Sequence, residues 1–211
     1  MTMQKVKSYV FVAAMAVSAA SCGSVVRDGR SPVYMVIEQL SGSRGASTPG
    51  PYGGTLLSDV VTNVTTGGGC STTNPCPTIF NDLGRVILRM QPKDIGTVTT
   101  PAPSPNNEIT VTRYRVTYRR SDGRNTPGVD VPYAFDGAAT GTIPSGGSLT
   151  LDFELVRHIA KEEPPLAPLA VNPTIISTIT EISFYGRDQV GNEVTVTGQM
   201  LIQFGNFGDP S

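Results

Sequence analysis

Over residues 109–120 the chain alternates: Tyr114, Val116 and Tyr118 stand on even positions, with Arg113, Arg115 and Arg119 on odd ones. A period of two sends successive side chains to opposite faces, so this segment predicts a strand with one dry and one wet side. Residues 148–158 repeat the pattern, with Leu149, Leu151, Phe153 and Leu155 on one parity and Asp152, Glu154 and His158 on the other. Ile176, Ile182 and Phe184 share a parity in a third run, and Val194, Val196, Met200, Ile202 and Phe204 do so in a fourth. Further strands are expected at 33–40, 55–62 and 85–90, with a turn at Asn81-Asp82-Leu83-Gly84. The stretches 42–54, 63–78 and 91–108, rich in Gly, Ser, Thr and Pro, read as long loops, and 164–173 as a Pro-rich crossover. No segment carries a helical period, and no internal repeat is present.

Strands at intervals of roughly 10 to 20 residues suit two antiparallel sheets packed face to face, an all-β fold in one domain over 32–211. The strongest local signal is the hairpin running from Phe184 to Glu193, where Asp188, Gly191 and Asn192 form the turn between two alternating runs. That Asp188-x-x-Gly191-Asn192 turn resembles a signature before the final strand of many bacterial immunoglobulin-like and fibronectin-III-like domains. The resemblance implies an antiparallel immunoglobulin-like β-sandwich. The run from Asp122 to Tyr133 is similar to a group of uncharacterised envelope lipoproteins of environmental bacteria, which brings no activity with it.

Composition agrees: 38% hydrophobic, 16% charged, 23 Gly, 17 Pro and no Trp. These values suit short strands and many turns and exclude a long coiled coil. A formal net charge of −1 excludes the basic surplus of a nucleic-acid binder.

Residues 1–21 read as a cleaved export signal: Lys5 and Lys7, an apolar run over 9–17, then Ser18, Ala19, Ala20 and Ser21. The run is too short to span a bilayer, which takes about 20 residues. Ala19-Ala20-Ser21-Cys22 resembles the lipobox of bacterial lipoproteins, with Ala19 where Leu is usual. The resemblance implies acylation of Cys22, a membrane anchor and a short tether over 22–31. Gly23 after the Cys resembles the outer-membrane address of enteric lipoproteins. Loss of the signal removes two lysines and leaves the mature chain mildly acidic.

Cys70 and Cys76, close together in a Gly- and Pro-rich stretch of an exported chain, predict one small disulfide. One His in the whole chain leaves no recognisable zinc ligand set, and no metal or other cofactor is expected. No G-x-S-x-G elbow accompanies His158, and Asp152 and Glu154, about 7 Å apart on one strand face, read first as a solvated face rather than a glycosidase pair. No catalytic residues are expected, a hydrolase of unfamiliar type being the least favoured alternative. Arg113, Arg115, Arg119, Arg120 and Arg124 crowd one segment. The first three make either an anion or partner surface, or cross-strand pairs with carboxylates such as Glu181. Asp122, Asn125, Asp130 and Asp136 in one loop region, and Asp188, Asn192 and Glu193 in another, suit calcium or ordinary turn chemistry. The expected function is a lipid-anchored, non-catalytic envelope module with an envelope protein or glycan partner, or alternatively a glycan- or calcium-binding surface protein.

Overall fold

The computed structural model describes residues 30–48, 50–93 and 104–209. The export signal, Cys22 and all of the tether before Arg30 lie outside the described residues, as do 94–103 of the stretch read as the third long loop.

Ten strands form in chain order: β1 (Val33–Ser43), β2 (Thr55–Asp59), β3 (Thr62–Val64), β4 (Cys76–Thr78), β5 (Asp82–Pro92), β6 (Ile109–Arg119), β7 (Phe135–Ile143), β8 (Ser148–Val156), β9 (Ile176–Asp188) and β10 (Glu193–Gly205). A five-residue helix, α1 (His158–Glu162), leaves β8. The protein is all-β. One sheet has the order β1-β5-β8, a second β2-β10-β9-β6-β7, and β3 pairs with β4.

The two large sheets face each other across one apolar core. From the first come Val86, Leu88, Phe153 and Leu155; from the second come Tyr114, Val116, Ile182, Phe184, Ile202 and Phe204. Tyr114 meets Phe153 across the gap at 5.0 Å between ring centroids, and Phe153 meets Phe184 at 5.3 Å. The alternating runs explain this burial, because every inward parity named above faces the core. In β6 the parity itself switches: Ile109 and Val111 are buried on odd positions, Tyr114, Val116 and Tyr118 on even ones. A bulge between Val111 and Arg113 inserts the extra residue that makes the switch.

Several expectations are corrected. The pairing is not antiparallel throughout, because β2 joins β10 in parallel over Thr55–Asp59. Asn81-Asp82-Leu83-Gly84 is not a turn; Asp82 opens β5 and its side chain is drawn into the core. His158 does not end a strand but starts α1. The stretch 63–78 holds most of the β3–β4 ladder rather than loop alone. Asp136 lies on β7, a strand absent from the sequence reading, and so does not join Asp122, Asn125 and Asp130 in a loop.

β1 and β10 run in the same direction on opposite sheets. A Cβ on Gly198 would meet Ile37 and Leu40, and one on Gly42 would meet Met200 and Leu56, so contacts climb both strands together. Val33 and Gly205 therefore lie at opposite ends of the molecule.

Candidate functional site

The outward face of the large sheet carries the arginines. Alternation turns Arg113, Arg115 and Arg119 away from the core, and cross-strand register then selects their partners. Arg113 and Arg115 both reach Asp136 on β7, at 3.1 and 2.6 Å. Arg119 pairs with Glu181 on β9 at 3.1 Å. The Arg113 guanidinium also lies 3.6 Å from the centroid of the Tyr185 ring. Hydroxyl pairs continue the lattice, Thr110 with Thr142 at 3.0 Å and Ser183 with Thr197 at 2.8 Å. With Arg187 of β9 paired to Glu193 of β10 on the same face, four cations against three carboxylates leave it net positive.

Beside it runs an apolar row that the sequence reading did not single out. Leu201 on β10 pairs with Ile179 on β9, which pairs with Arg119 on β6. Leu57 on the adjoining β2, opposite Gln203, extends the row by one strand. Leu57, Ile179 and Leu201 are 44%, 43% and 39% exposed. Their odd positions in strands whose even positions are buried were the available signal.

A second feature lies where β8 gives way to α1. The residues Tyr133, Phe135, Arg157, Ile159 and Pro164 line a cavity of about 160 Å³, with Arg157 stacked 3.8 Å from the Phe135 ring centroid. Tyr133 and Ile159 expose their side chains at its rim.

The candidate reactive groups are engaged in structural pairs. The His158 ring nitrogen Nδ1 lies 2.9 Å from Asn81 Oδ1, while the Asn81 amide donates to Glu154 at 2.6 Å. Asp152 forms a two-pronged pair with Arg85 on β5, at 2.6 and 2.9 Å. That guanidinium holds the Asp152 carboxyl below the usual range, the wrong direction for a general acid. The oxygen-rich turns are likewise spoken for. Asp122 accepts from Arg120 and Arg124, which hold its carboxyl far below the ordinary value, and Asp130 caps the Thr126 amide. Asp188 accepts from the Val190 and Asn192 amides and from the Asn192 side chain; Glu193 pairs with Arg187. Among the described residues no cluster of three or more His, Cys, Asp or Glu side chains could hold a metal ion.

Cys70 and Cys76 form a disulfide, with Cα atoms 5.5 Å apart. Cys76 opens β4, so the bridge pins the loop leading into the β3–β4 ladder.

The interior holds one centre that no period announces. Lys161 of α1 is buried and its Nζ lies 3.0 Å from Asp82 Oδ1, the two side chains being 1% and 0% exposed. The Gly45 amide donates to the same oxygen at 2.8 Å, and the Ser58 hydroxyl donates to Oδ2 at 2.5 Å. Burial pushes the Asp82 carboxyl up, against the opposing pull of Lys161 and these donors.

No family model matches the chain, and no curated protein matches it.

Proposed function

We propose that the protein is a non-catalytic interaction module of the bacterial cell envelope, held to its membrane by lipid on Cys22. The observation that carries the interaction reading is the exposed row Leu57–Leu201–Ile179, ending on Arg119. An apolar strip on a rigid sheet, flanked by arginine, has the chemistry of a protein interface core with a polar margin. The engagement of His158, Asp152 and Glu154 in structural pairs supports a binding rather than a catalytic role. The exported signal pattern and the Ala19-Ala20-Ser21-Cys22 run support the anchor.

An immunoglobulin-like assignment of the fold belongs to the same proposal. Taking β1, β5 and β8 as strands A, B and E, and β6, β7, β9 and β10 as C, C′, F and G, gives an ABE sheet facing a C′CFG sheet. The order and the facing are consistent with a variable-type plan that lacks, among the described residues, strands C″ and D, and β2 adds to G.

The test is crosslinking in cells of the tagged full chain, quantified by mass spectrometry against a Cys22→Ser form. A stoichiometric envelope partner is expected with the parent chain. It should be depleted both in the Cys22→Ser form and in a Leu201→Glu/Arg119→Glu variant of unchanged melting temperature. Recovery of no stoichiometric partner, or undiminished recovery with the charged variant, refutes the surface.

A further inference from the structure

The buried centre between β5 and α1 places an amine and a carboxyl in contact with water excluded from both. Lys161 Nζ is 3.0 Å from Asp82 Oδ1. Oδ1 also accepts from the Gly45 amide, and Oδ2 accepts from the Ser58 hydroxyl. Each carboxyl oxygen thus has its own donor. Four separate segments converge here: the start of the β1–β2 connection, β2, β5 and α1.

We propose that Asp82 and Lys161 condense to an intramolecular amide that staples α1 to β5. In this step Lys161 Nζ attacks Asp82 Cγ, the Cγ–Nζ bond forms and the Cγ–Oδ2 bond breaks. Two of the three ammonium protons pass to the departing Oδ2, which leaves as one water. Carboxylate plus ammonium become neutral amide plus water, with nothing oxidised and no co-reactant. Oδ1 stays as the amide carbonyl and keeps the Gly45 donor, which also stabilises the negative charge that gathers on Oδ1 during attack. Ser58, bonded to the leaving oxygen, is placed to relay a proton to it.

Two physical arguments favour condensation over a lasting ion pair. Fixed reacting groups reach effective concentrations of about 10⁵–10⁸ M, which offsets the slowness of the same reaction between free molecules. Burial also penalises both charges of the pair, and the amide removes both at once. The upward push of burial on the Asp82 carboxyl acts in the same sense, since the neutral acid and neutral amine are the reactive forms. This inference stands apart from the envelope reading and needs neither anchor nor partner.

The test is peptide mapping of the full chain, reduced and digested with trypsin. Trypsin does not cut after an acylated lysine. The expected product is one branched species joining residues 45–85 to residues 158–187, lighter by one water than the two together. Cleavage after Lys161, with 45–85 recovered as an unmodified linear peptide, overturns the proposal. A Lys161→Arg variant keeps a cation but offers no comparable amine, so it should give linear peptides only. A branched species persisting in that variant would place the link elsewhere and equally overturn it.

Discussion

Two glycines let aromatic rings close the core. Gly84 stands opposite Phe153 and Gly137 opposite Tyr114 in their strand pairs. A Cβ at Gly84 would sit 2.4 Å from Phe153 Cζ, and one at Gly137 2.2 Å from Tyr114 Cζ. Since Tyr114 and Phe153 touch each other and Phe184, neither ring can retreat. Gly84→Ala and Gly137→Ala should each cost about 1–3 kcal/mol by overpacking and lower the melting temperature by several degrees. Thermal unfolding followed by circular dichroism checks this, and an unchanged midpoint for both would show that the rings yield. Asp59 makes a different case. Its side chain is fully buried, and among the described residues its Oδ2 is the one buried side-chain oxygen or nitrogen without a hydrogen bond. Arg44 stands 3.8 Å away and the Phe207 amide donates to Oδ1 at 3.2 Å. Burial pushes the carboxyl up, and the Phe207 and Val61 amides and Arg44 offset this only in part. A carboxyl that holds its proton more tightly when folded lends stability below about pH 4 and loses it as the pH rises through its folded value. Asp59→Asn should therefore raise the melting temperature at neutral pH and flatten its fall between about pH 4 and 7. Melting curves across that range decide it; a lower neutral midpoint would mean that Arg44 needs the charge.

At the scale of elements, pairing sets a gradient of protection. β9 is bonded to β10 on one side and β6 on the other along nearly its whole length. β2 has one partner over five residues, and β3 and β4 pair over three. Hydrogen exchange should be slowest in β9 and fastest, among the strands, in β3 and β4. The reverse order would mean that the disulfide ladder, not the large sheet, is the stable unit. The same elements show what was legible beforehand. β6, β8, β9 and β10 are long, half-buried and regular, so their period of two survives in the sequence. β7 was missed because its inward face is thin in apolar side chains. Gly137 and Gly141 lie there under Tyr114 and Leu149, which supply the bulk from neighbouring strands. α1 spans five residues, too few to display a helical period. Asn81-Asp82-Leu83-Gly84 has turn composition, yet Asp82 satisfies Lys161, Ser58 and Gly45 inside the fold, contacts that no local rule contains.

For the whole molecule, the two facing sheets were readable and the parallel β2–β10 join was not, because parity reports which face is wet and says nothing of strand direction. The arginine face was legible for the same reason, with Glu181 among the expected cross-strand carboxylates, but not that Arg119 is the arginine it meets. The buried Lys161 was not, since lysine in a sequence ordinarily signals a solvated surface. The placing of Val33 and Gly205 at opposite ends bears on mechanics. A pull applied at those two points runs along the strands, across the hydrogen bonds that join β1 to β5 and β10 to β9 and β2. Those bonds share the load in shear and must fail together. A pull that separates β9 from β10 at their far ends would instead peel the hairpin open one pair at a time.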